Sequence, residues 1–77
     1  MDKLIAGLAE ILEEEPSALS PQTRFREHKR WDSLAGLSLL TLIEDEYGIV
    51  MGGTDLKAVN TVDALMSEIE ARVAVKS

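Results

Sequence analysis

The 77-residue sequence contains no cysteine and only one histidine, His28. No disulfide can brace it, no thiolate can act as nucleophile, and a transition metal would lack a ligand set within this chain. Proline is confined to Pro16 and Pro21, and the aromatic residues to Phe25, Trp31 and Tyr47. So few rings point to an aliphatic, helix-packed core. Basic residues are also scarce: 8 Lys and Arg against 14 Asp and Glu, a net charge of −6. That sign disfavours nucleic acid and anionic membranes as partners and favours proteins with basic docking faces. At this charge a monomer is expected. No apolar run approaches the roughly 20 residues that cross a bilayer. Met1-Asp2-Lys3 has neither the basic start nor the small-residue cleavage site of a secretory leader, so a soluble cytoplasmic protein is expected.

What is present fits one small folded domain, residues 1–77. Hydrophobic residues make up 45% of the chain, too many for a disordered tail. Leu4, Ile5, Leu8, Ile11 and Leu12 fall on one helical stripe, with Asp2 placed to cap it and Pro16 placed to end it. Residues 16–32 read as a long irregular connection anchored by Leu19 and Phe25. Asp32-Ser33 then opens a second helix to Tyr47, with the stripe Leu34, Leu37, Leu40 and Ile43 widened by Leu39 and Leu42. Gly48 suits a left-handed C-cap. This helix is apolar nearly all round, which places it centrally. Ile49-Val50-Met51 has no partner strand. Gly52-Gly53 breaks the chain, Thr54 is placed to cap a one-turn helix through Val59, and Asn60-Thr61 begins a last helix bearing Val62, Leu65, Met66, Ile69 and Val73. The expected fold is all-α: three main helices and one short one, with a long loop between the first and second.

Few residues offer chemistry. Asp-Ser before an apolar helix is first of all an N-cap signal. If Asp32 makes the cap, Ser33 lies in the first turn with its hydroxyl free, where helix dipole and unpaired backbone N–H groups favour an anion. The position suits a phosphodiester. A hydrolytic serine would need a base and an orienting third group, and His28, in a basic loop, reads as simply solvated. Gly52-Gly53 lacks the strand and lysine of a phosphate-binding loop and reads as a turn. Glu44-Asp45-Glu46 is a solvated helix face or, placed at the far end of the helix that Ser33 opens, a stripe that steers basic partners. Trp31 either closes the end of the bundle or meets a partner.

Asp32-Ser33-Leu34, then Leu37, Leu39, Leu40 and Ile43, then Glu44-Asp45-Glu46-Tyr47-Gly48-Ile49, resembles the core of the acyl carrier proteins. The order of helices and the phenylalanine in the long loop extend the likeness over nearly the whole chain. The resemblance implies that Ser33, preceded by Asp32, is modified with phosphopantetheine by a phosphopantetheinyl transferase using coenzyme A. The arm's thiol then carries acyl thioesters between enzymes, and the protein itself is not an enzyme. Leu34, Leu37, Glu44, Asp45 and Glu46 match positions by which such carriers dock on the basic patches of acyl-loading, condensing and acyl-transferring enzymes. Leu37, Leu40, Ile43, Val59 and Leu65 are the candidates for lining an acyl cavity. Ala35, Gly36 and Ser38 stand where fatty-acid-synthesis carriers often have acidic residues, and Lys29-Arg30-Trp31 replaces the usual small or apolar residues before the motif. These departures concentrate negative potential at residues 44–46. They imply a specialised carrier, in fatty-acid, polyketide, lipid or polysaccharide-acylation chemistry. The rival readings are an aminoacyl, peptidyl or D-alanyl carrier and an unmodified helical interaction module.

Overall fold

Apolar residues spaced by three or four give helices wherever no cap or proline intervenes, and the computed structural model follows that rule. It describes residues 2–76, with the side chains of residues 3–75. The helices are α1 (Asp2–Leu12), α2 (Ser33–Tyr47), α3 (Gly53–Lys57) and α4 (Val62–Lys76), with 3-10 turns at Pro16–Ala18 and Phe25–Glu27. No strand occurs among the described residues, and the architecture is the expected all-α bundle.

In α1, Leu4, Leu8, Ala9 and Leu12 are buried. Asp2 is the first helical residue; the expected cap by its side chain lies outside the described residues. The helix stops at Leu12, ahead of the Pro16 stop expected from the sequence. Glu13 takes a left-handed backbone (φ 56°), its N–H donating to Glu10 O at 3.2 Å while Glu14 N–H donates to Ala9 O at 2.8 Å. This pair of bonds satisfies the last carbonyls, as a Schellman ending does, with glutamate in the usual glycine position. Pro16 instead opens the first 3-10 turn.

The connection at residues 16–32 is not structureless. Phe25 is fully buried and Leu19 nearly so, as expected of its anchors. Its backbone also serves other elements. Val62 N–H donates to Thr23 O at 3.1 Å and Asp63 N–H to Pro21 O at 2.8 Å, supplying acceptors for the first turn of α4. Arg26 Nε donates to Val59 O at 2.8 Å, and its Nη2 donates both to Lys57 O at 3.0 Å and to the Asn60 side-chain oxygen. The loop therefore grips the exit of α3 and the entrance of α4.

Helix α2 packs against the other three helices. Its core face is Ala35, Leu39 and Ile43, whereas Leu34 and Leu37 from the expected stripe face solvent and Leu40 and Leu42 are half-buried. The correction has a simple cause: leucines all round the helix leave its periodicity without a preferred face, and neighbouring elements choose it. Close approach to α1 is made possible by Gly7, where a Cβ would clash with the Leu42 methyls. Gly48 takes the left-handed cap (φ 68°) with its N–H on Glu44 O at 2.9 Å. Ile49 and Met51 then turn into the core while Val50 points out.

Helix α3 begins one residue before the expected Thr54 cap. Gly52 is its N-cap, and the Asp55 carboxylate accepts Gly52 N–H at 2.9 Å. It ends at Lys57, short of the expected Val59. Thr61 Oγ1 accepts Ala64 N–H at 3.1 Å and so caps α4, whose Val62, Leu65, Met66 and Ile69 are buried as the spacing predicts.

Candidate functional site

The site is organised by the cap of α2. Asp32 is extended (φ −149°, ψ −173°), and its Oδ1 accepts Ala35 N–H at 2.8 Å while its carbonyl accepts Gly36 N–H at 3.0 Å. Ser33 is the first helical residue and is exposed. Because Asp32 makes the side-chain cap, the Ser33 hydroxyl is left outside it. The backbone N–H groups of Ser33 and Leu34, in the first turn, have no helical acceptor and mark the positive end of the helix dipole.

Ser33 opens onto a surface groove of about 520 Å³ between the start of α2 and α3. Leu37 and Leu40 of α2 and Leu56 of α3 give it apolar walls, with Trp31 at its near end. Gly36 forms part of its floor: a Cβ there would stand 3.5 Å from the Trp31 ring and 4.0 Å from a Leu56 methyl. Arg26 and Lys57 lie on the rim. Of the five residues expected to line a cavity, Leu37 and Leu40 border this groove. Ile43 and Leu65 are fully buried in the core, Val59 is nearly so, and none of these three borders it.

The far wall is held in place by charge. Asp55 Oδ1 lies 3.1 Å from Arg72, whose Nε donates to Glu68 Oε1 at 2.9 Å. The Gly52 N–H, and after it Arg72, hold the Asp55 carboxyl below its ordinary pKa. Further along the same bundle, burial and then the charges of Glu46 and Glu70 push the Tyr47 hydroxyl up.

Leu34 is 70% and Leu37 61% exposed beside Ser33, and Glu44, Asp45 and Glu46 are exposed at the opposite end of α2. At 1.5 Å per residue the apolar and acidic ends stand about 14 Å apart along the helix. Glu46 also approaches Lys3 at 3.8 Å. Trp31 meets Phe25 edge-on, with centroids 5.4 Å apart and planes at 69°, and packs on the core. It therefore closes the bundle at this end, while its remaining surface borders the groove.

His28 is not simply solvated. Its Nδ1 accepts Arg30 N–H at 3.0 Å and its Nε2 stands 3.9 Å from Glu14, with only 16% of the side chain exposed. It braces the turn leading to Trp31, and both nitrogens face partners other than Ser33. Arg26 and Leu56 escaped sequence reasoning. Arg26 sits in a run of charges that looks like an exposed loop, and Leu56 is a lone leucine in a helix too short to show a face. Gly36 did carry a signal, as a glycine inside a helix three residues after Ser33.

The phosphopantetheine attachment site family matches residues 2–69. The meromycolate extension acyl carrier protein of Mycolicibacterium smegmatis is 36% identical over 73 residues, covering 90% of this chain and 74% of that protein. The protein of the same name from Mycobacterium leprae is 34% identical, covering 90% of this chain and 64% of its own, just under two thirds of its length. An acyl carrier protein of Thermosynechococcus vestitus is 27% identical, covering 96% of this chain and 91% of its own.

Proposed function

The chain belongs to the phosphopantetheine attachment family, as an acyl carrier with phosphopantetheine as its cofactor, and from that membership we propose that Ser33 is the attachment residue. The observation that carries this is the division of labour at the start of α2. Asp32 caps the helix through Ala35 N–H, which leaves the neighbouring Ser33 hydroxyl exposed at the mouth of the groove. A phosphodiester on Ser33 fits here: the unpaired N–H groups and dipole of the first turn favour its negative charge. When bound, phosphopantetheine supplies the thiol that holds an acyl group as a thioester, which a chain without cysteine cannot supply itself. The protein's own residues present the attachment point, fix the helix that carries it and keep the adjoining surface apolar.

Docking falls to α2. Leu34 and Leu37 beside Ser33 offer an apolar contact, and Glu44, Asp45 and Glu46 offer a charged one about 14 Å away. That arrangement suits a phosphopantetheinyl transferase and acyl-loading, condensing and acyl-transferring enzymes with basic patches, which it would meet in the cytoplasm. Relatives named for meromycolate extension, together with the absence of acidic side chains at Ala35, Gly36 and Ser38, favour a specialised lipid pathway over housekeeping fatty-acid synthesis.

The test is intact mass after incubation with a broad-specificity phosphopantetheinyl transferase and coenzyme A. Wild type should gain one phosphopantetheine and Ser33→Ala none, with unchanged helical content. Gain in both, or in neither across several transferases, would refute the assignment of Ser33. Full-rate replacement of the housekeeping carrier in a reconstituted fatty-acid synthase would refute the specialised pathway.

A further inference from the structure

Acids outnumber bases 14 to 8 in this chain, and most of its cations stand beside a carboxylate. Lys3 meets Glu46, Arg24 meets Glu27, Arg30 meets Glu13, and Arg72 meets both Asp55 and Glu68. Among the described side chains, Arg26, Lys29 and Lys57 are the cations that pair with no carboxylate. Arg26 and Lys57 both line the groove onto which Ser33 opens, and Lys29 does not. Arg26 is half-buried and fixed in place: Nε is held by Val59 O, and Nη2 by Lys57 O and the Asn60 side chain. Those oxygens set its position and carry no net charge. Its Nη1, with two further N–H groups, has no acceptor among the described residues. Lys57 is exposed on the same rim. A cap on the end of α3 would explain the bonds to carbonyls; it leaves both charges and one side of the guanidinium fork unused.

We propose that Arg26 and Lys57 are positioning residues that hold the phosphodiester joining phosphopantetheine to Ser33. This rests on the assignment of Ser33. Loading adds a negative charge one residue from Asp32, whose Oδ1 is committed to Ala35 N–H, on a chain already at −6. Like charges placed so close repel. The positive end of α2 offsets part of that repulsion, and two cations lining the same groove offset more. Guanidinium matches the paired oxygens of a phosphate, and the lysine ammonium adds a point charge. The phosphodiester is the anion that the position dictates, because it stays at Ser33 whatever acyl group the arm carries.

The test compares apo and holo forms of the full chain at low salt, each verified by intact mass. In isotope-labelled wild type, loading should slow the exchange of the Arg26 Nη1 hydrogens with water several-fold, read from the arginine side-chain signals. Arg26→Gln would also break the bonds to Val59 and Lys57, so the unmutated side chain decides its part. For Lys57 the readout is the Tm of the holo form relative to the apo form. That difference should be lower in Lys57→Gln than in wild type, unchanged in Lys29→Gln, and should converge with wild type at high salt. A lysine with a merely structural role would move apo and holo alike. Unaltered Nη1 exchange on loading overturns the role of Arg26, and equal differences in Lys57→Gln and Lys29→Gln overturn that of Lys57, while Ser33 stands on its mass gain. Absence of any mass gain overturns the Ser33 assignment and this proposal with it.

Discussion

Glu13 holds a left-handed backbone that costs a non-glycine residue about 1–2 kcal/mol. Its side chain gains an ion pair to Arg30 at 3.0 Å, but both partners are more than half exposed and such pairs contribute at most about 1 kcal/mol. Replacing Glu13 by glycine should therefore stabilise the fold by about 0.5 kcal/mol net of glycine's own entropy, raising Tm by a few degrees in a thermal melt. Asp55 allows a second test. Its carboxyl is held below the ordinary value of 3.8, first by the Gly52 N–H and then by Arg72, so its contribution to stability is complete above that value. It is lost as pH falls through the lower folded-state value, while Arg72 stays charged throughout. Asp55→Asn should be less stable than wild type at neutral pH, and the gap should narrow in melts carried down below pH 4.

Among the elements, the irregular connection at residues 16–32 contributes more than its lack of long helices suggests. Phe25→Ala should cost about 3–5 kcal/mol. Chains of this length have about 4–12 kcal/mol in all, so the urea midpoint should fall by about a quarter or more. The ends of α2 were legible beforehand because they depend on local chemistry: a carboxylate reaching three residues ahead at Asp32 and a glycine free to turn left at Gly48. The facing of α2 was not, since Leu34, Leu37, Leu39, Leu40 and Leu42 surround the helix and only the packed neighbours choose Ala35, Leu39 and Ile43. The early end of α1 was hidden too, because glutamate seldom takes the position that Glu13 occupies. Ser33 stood out from its neighbours Asp32 and Leu34. The groove did not, since its walls come from α2, the loop and α3, and its Arg26 rim is tied to carbonyls more than thirty residues away.

For the whole molecule, charge is unevenly placed. Four of the eight lysines and arginines fall in residues 24–30, next to Ser33, whereas Glu44, Asp45 and Glu46 stand together at the other end of α2. A partner approaching α2 meets a field that orients as well as attracts it. Replacing the three acids together by Gln, Asn and Gln should lower the kcat/KM of the phosphopantetheinyl transferase several-fold at low ionic strength. The variant and wild type should converge as salt is added, because steering between exposed charges is screened within about 10 Å at 0.1 M. An equal deficit at all salt concentrations would assign those acids to direct contact instead of steering.

The bonds from Val62 N–H to Thr23 O and from Asp63 N–H to Pro21 O join segments that are about forty residues apart along the chain. The first amides of a helix commonly exchange with solvent as soon as that helix frays. Here their protection depends on a loop, and Arg26 ties the same loop to the end of α3. Deuterium uptake at Val62 and Asp63 thus becomes a clock for the opening of residues 16–32. The loop and the two short stretches it grips should open as one cooperative unit, while the buried middle of α4, around Leu65 and Ile69, stays closed.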